Sequence, residues 1–209
     1  MTGPNRRETQ PQRDCSAFSF AAVFLAAAAS VASSQPAVSQ QTDVATRGQR
    51  EVKDVTYGDW RKLCFKPGGA QMHCRTSITG KFATGQMAVR LDIIERQGDG
   101  SARLQIFSPV GMYLQKPVML TVDQGQPHPV PYTWCLTNTC IAATVADAKT
   151  IQEMGSGQTL RLEFVDSNLL ALTTSLPLAQ FASVNKGAPA QTFEQDIDDE
   201  ETDRARILP

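Results

Sequence analysis

The sequence predicts a mainly β domain: an antiparallel β-sandwich or partly closed barrel with two short helices, stapled by disulfides. Three observations carry that expectation. Apolar residues alternate more often than they recur every third or fourth place. The alternating segments come in pairs around Gly, Asn or Asp. Four cysteines sit where they could cross-link such pairs.

Taken in order, "DWRKLCF" and "MHCRTSI" flank "KPGGAQ", and "QMAVRLDIIE" and "ARLQIF" flank "RQGDGS". "PVMLTVD" and "PVPYTWC" flank "QGQPH", while "TLRLEFVD" and "LLALTTSL" meet at "SN". Each pair reads as two strands and a turn. "VADAKTIQEMGSG" has good helix formers and a glycine stop. "PLAQFASVNKG" opens with the proline favoured at a first helical position. Many short strands with few helices favour a sandwich.

The ends read differently from this body. Residues 1–32 combine a basic start (Arg6, Arg7, Arg13), an apolar run from about Ala17 to Ala29, and small residues at Ser30 and Ala32. That is the layout of a secretory signal peptide, and the run is short for a membrane span. Cys15 would leave with it. Residues 33–54 lack any apolar period and read as a disordered lead-in; the domain proper is expected over 55–187. Residues 188–209 read as an acidic disordered tail, with seven acids and two arginines in 191–209. The body, with 12 bases to 9 acids, carries +3. This falls far short of the clustered charge that nucleic-acid binding needs.

An exported chain keeps its cysteines paired, so Cys64, Cys74, Cys135 and Cys140 are expected as disulfides. If Cys64 faces Cys74 across a hairpin, Phe65 faces His73 and the loop is Gly68-Gly69-Ala70. Cys135 and Cys140 would oppose each other around Leu136–Thr139. Directly opposed strand residues lie near the Cα separation a disulfide requires. Long-range pairing would stabilise more, about 4.5 kcal/mol against roughly 2–3 for each short loop, but geometry favours the local pairs. A metal site would use these cysteines with His73, yet the paired C-x-x-C spacing is absent, and no metal or cofactor is expected.

"YGDWRKLC" (57–64), "SPVGMYLQKPVMLTVDQG" (108–125) and "YTWCLTNTCIAA" (132–143) resemble the invasion-associated locus B family of small exported Gram-negative proteins. Tyr57, Gly58, Asp59, Trp60, Cys64, Cys135, Cys140 and Ala142 match its pattern. Thr139 departs from it, standing where the family commonly has a glycine. The resemblance implies a virulence-associated cell-envelope protein linked to invasion of host cells, and it implies no agreed activity or ligand.

Signals for catalysis are weak. There are two histidines, His73 and His128, and neither G-x-S-x-G nor H-E-x-x-H occurs. "GSGQT" lacks the Lys of a phosphate loop, and Asp92 and Glu95 should point to opposite faces of one strand. No enzyme activity is expected. The candidate interaction surface comprises Trp60, Trp134, Met112, Tyr113 and Met119, the last three within the apolar stretch "FSPVGMYLQKPVM". Packing on disulfides and strand burial are the structural alternatives for these residues. The expected role is an envelope or secreted protein that binds a protein partner in the envelope or on a host cell. A periplasmic factor contacting other envelope proteins, or an enzyme with an unrecognised site, are the competing readings. Export through the inner membrane, to the periplasm or the outer surface, follows from the leader. No transmembrane span is expected in the mature chain, and oligomeric state is left open.

Overall fold

The computed structural model describes residues 44–195. The signal peptide expected at 1–32, the first part of the lead-in and residues 196–209 lie outside them. The chain forms β1 (Gly48–Glu51), β2 (Val55–Tyr57), β3 (Arg61–Lys66), β4 (His73–Phe82), β5 (Met87–Arg96), β6 (Ala102–Ser108), β7 (Val118–Val122), β8 (His128–Val130), β9 (Tyr132–Cys135) and β10 (Cys140–Ala146). There follow α1 (Ala148–Ser156), β11 (Thr159–Val165), β12 (Leu170–Pro177), α2 (Phe181–Lys186) and β13 (Gln191–Glu194).

These strands build two open sheets. One has the order β1-β12-β11-β7-β8; the other has β13-β3-β4-β5-β6-β10-β9, with β2 also paired to β4. Alternating residues turn inward from each. Leu91, Ile93, Leu104 and Ile106 of the larger sheet share one core with Leu120, Leu160, Leu162 and Leu176 of the smaller. Each such side chain contributes about 1.5–3 kcal/mol through burial. Because the two sheets stay separate, the sandwich form of the expectation holds rather than the barrel.

The four expected hairpins form, with one division. β8 pairs with β7, and β9 pairs with β10 in the other sheet. The chain changes sheets at Pro131, which has no N–H to offer either ladder. At the β3–β4 turn Gly69 adopts φ 70°, and the Ala70 amide donates to the Pro67 carbonyl. Gly80 in β4 allows β2 to lie close: a Cβ there would stand 2.6 Å from the Tyr57 ring.

Three local expectations need correction. Residues 48–51 belong to the stretch expected as lead-in, yet they form β1 in parallel with β12. Residues 191–194 belong to the expected tail, yet they form β13 in parallel with β3. Both strands are exposed on both faces, so no apolar alternation marks them. The second helix starts at Phe181, not at Pro177, which ends β12. At its C-terminus the Lys62 ammonium donates to the carbonyls of Asn185 (2.7 Å) and Gly187 (3.2 Å), a cation where the helix presents free acceptors. Helix α1 forms and stops at Gly157 as expected, and the Asp147 carboxylate caps its start by accepting from the Thr150 amide at 2.7 Å.

Candidate functional site

The cysteines pair as geometry favoured. Cys64 bonds Cys74 and Cys135 bonds Cys140, each directly opposed across its hairpin with Cα atoms 4.0 Å apart. The first staple is set beside the core, since Cys64 is buried; the second pins edge strand β9.

The five candidate surface residues are not brought together. Trp60 is 4 % exposed: its ring packs on Phe181 at 4.9 Å and its Nε1 donates to the Pro177 carbonyl at 2.8 Å. It is a core residue, because the chain between β2 and β3 folds inward beneath α2. Met112 is half-buried in the crossing between the sheets, bridging to Asp166, and Tyr113 follows it, its amide bonded to the Val165 carbonyl. Met119 alternates with the buried Leu120 and so lies on the outside of the smaller sheet. Trp134 alone remains on a broad exposed face, 47 % accessible.

That face is the outer side of the larger sheet, and register fixes its pattern. In one row Trp134 stands beside Ile141, which stands beside Phe107 and then Arg90. The Arg90 guanidinium lies 3.8 Å from the centre of the Phe107 ring. The next row sets Gln105, Asp92, Ser77 and Arg61 side by side. A third sets Val145, Arg103, Ile94, Arg75 and Leu63. The last holds Arg96, His73, Phe65 and Phe193. Val145 and Phe193 are exposed.

Asp92 is the electrostatic centre of this face. It is 1 % exposed although it points away from the core, because neighbouring side chains close over it. Arg90 Nε lies 3.2 Å from its Oδ1, and Arg75 Nε 4.0 Å from its Oδ2. Burial raises its pKa, against the opposing pull of Arg90 and then Arg75. Glu95 pairs with Cys74 and Ala102 on the other face, so the two carboxylates do not share a site. The sequence signal was present: a charge at every second place, Arg90 and Asp92, inside the apolar run of β5.

Other polar groups form smaller arrangements. His128 Nε2 stands 3.4 Å from Glu153, both partly exposed, and His128 lines a 150 Å³ hollow. His73 stacks on Phe65 at 5.3 Å. Among the described residues no hydrogen bond joins either histidine to a Ser, Thr or Cys side chain. Nor does any group of three or more His, Cys, Asp or Glu among them offer a metal site. Tyr132 is held in its protonated form by burial, its pKa pushed up to about 12. A 250 Å³ apolar cavity opens between the sheets near Val52, Phe82, Met112 and Leu172.

Two open sheets around one core, stapled at two hairpins, define a small disulfide-stapled, sandwich-like β protein. The sequence profile of the Invasion associated locus B (IalB) protein family matches residues 60–189, and the chain belongs to that family. The crystal structure of invasion associated protein B from Bartonella henselae is similar, with a TM-score of 0.54 and 22 % sequence identity. The likeness covers 62 % of this chain and 91 % of that one. No curated protein matches the chain.

Proposed function

We propose that this is an exported, non-enzymatic protein of the envelope, or one secreted beyond it, that binds a protein partner through the outer face of its larger sheet. Family membership supports a part in invasion of host cells. The two disulfides suit an oxidising compartment, and no helix among the described residues is long and apolar enough to cross a membrane.

The observation that carries the reading is the exposure of Trp134 at the end of a row with the buried Ile141, Phe107 and Arg90, with exposed Val145 beside Arg103 four residues further along β10. Large aromatics beside arginine, on a sheet with a rigid backbone, are the residue types that anchor protein interfaces. The test is capture of the partner on intact bacteria or host cells by the protein and by Trp134→Ala and Val145→Ser. Loss of capture with an unchanged melting temperature supports the reading; capture equal to the parent's sinks it. Protease treatment of whole cells then separates a surface location from a periplasmic one. The enzyme alternative would rest on the His128–Glu153 pair. Under the proposed reading His128→Ala leaves the protein's biological effect intact.

A further inference from the structure

The larger sheet's outer face is unbalanced in charge. It carries Arg61, Arg75, Arg90, Arg96 and Arg103 against a single carboxylate, Asp92. Arg75 and Arg90 are turned toward that carboxylate. Among the described residues no carboxylate lies within ion-pair distance of Arg61 or Arg103.

The chain's own course supplies the complement. β13 joins this sheet beside β3, setting Phe193 next to Phe65 on the outer face, and the Gln195 amide donates to the Lys66 carbonyl at 3.0 Å. The residues that follow therefore start from this sheet's own edge. Residues 196–203 hold six acids, Asp196, Asp198, Asp199, Glu200, Glu201 and Asp203, and one apolar side chain, Ile197. At the same edge lies a 260 Å³ groove lined by Leu63, Phe65, His73, Ile94 and Phe193, with Arg75 in its wall.

We propose that residues 196–203 fold back onto the outer face, seating Ile197 in this groove and setting carboxylates against Arg75 and Arg103. The reach is sufficient. Arg75 lies two strands in from β13 and Arg103 four, both in the register row of Gln191, four residues back from Gln195; strand spacing and rise together put them about 16 and 23 Å from Gln195. Eight extended residues span up to about 26–29 Å. The inference rests on the reading of this face as a docking surface and deepens it. The acidic segment is an internal stand-in for the partner, which must offer acidic residues around an apolar one to displace it. Because arginine–carboxylate contacts at a wet surface are screened, added salt releases the segment.

The test needs no partner, so its failure is distinct from failure of capture. A nitroxide is attached to the full chain at Thr202→Cys, and the broadening of backbone amide signals is read by NMR at low salt. The expected result is selective loss of intensity at Ile94, Arg103 and Val145, with β11 and β12 unaffected. That loss should vanish at high salt and in a chain whose six acids are changed to Asn or Gln. All six changes lie beyond β13, so none removes a side chain from the shared core. Arg75→Gln with Arg103→Gln should abolish the loss from the other side. No broadening, broadening of the smaller sheet, or broadening that survives neutralisation of the acids each overturns the proposal. So does broadening seen only between a labelled chain and a second, unlabelled copy.

Discussion

Trp60 and Asp92 show how far a single residue's role depends on which way the backbone turns its side chain. A tryptophan a few residues before a stapled cysteine reads first as core packing and second as an interface anchor. Its indole is enclosed by Phe181 and tied to the Pro177 carbonyl. Trp60→Ala should therefore cost about 3–5 kcal/mol of stability. Trp60→Phe keeps most of the packing but leaves the carbonyl without its donor, and should cost about 1–3 kcal/mol. Denaturant midpoints of the two variants check this; a Trp60→Ala protein as stable as the parent would return Trp60 to the surface. Asp92 makes a prediction about pH. Burial raises its folded pKa above the unfolded value, so the folded state holds its proton more tightly. Ionised Asp92 thus costs stability above the folded pKa, and that cost is relieved as pH falls through it toward about 4. Compared with Asp92→Asn, the parent should gain stability on acidification across that window. A difference in melting temperature that stays flat, or grows in the Asn variant's favour, contradicts the assignment.

At the scale of elements, the hairpins were legible because each carries its own turn chemistry and alternation. The β3–β4 and β9–β10 staples follow from the same register arithmetic that pairs Phe65 with His73. Equal in kind, they should differ in effect. Loop-closure entropy assigns about 2–3 kcal/mol to each. Each pair has one buried cysteine, Cys64 and Cys140, but the partner Cys74 is half-buried in the middle of the sheet whereas Cys135 lies exposed on an edge strand. Replacing Cys64 and Cys74 together by Ala should lower the denaturant midpoint more than replacing Cys135 and Cys140. The second pair should instead loosen β9 and so weaken capture through Trp134. Equal loss of stability in the two double variants would mean the burial of Cys74 contributes nothing. The split of "PVPYTWC" into β8 and β9 was hidden, because its alternation runs unbroken while the chain changes sheets at Pro131. The outer-face site was hidden for a related reason. Its rows run across seven strands, and a row is a product of register that no single segment displays.

Over the whole molecule, legibility followed burial. β4, β5 and β6 announce themselves through Ile78, Leu91, Ile93, Leu104 and Ile106, all turned into the shared core. β1 and β13 announce nothing, because every residue in them is exposed. Main-chain hydrogen bonds to one neighbour hold them, β1 on β12 and β13 on β3. Such strands gain little from the hydrophobic term that secures the centre, so they should open without disturbing it. Native-state hydrogen exchange tests this directly. Amides of β5 and β6 should exchange only on global unfolding, whereas those of β1 and β13 should open at a free-energy cost at least about 2 kcal/mol lower. Neutralising the acids of 196–203 should then speed exchange in β13 and leave β1 unchanged, since only β13 continues into the segment proposed to dock. Edge strands protected as strongly as β5 would mean that the parallel pairs belong to the central folding unit. In that case the face beside β13 would be a fixed surface, with no opening at its edge through which the acidic segment could be exchanged for a partner.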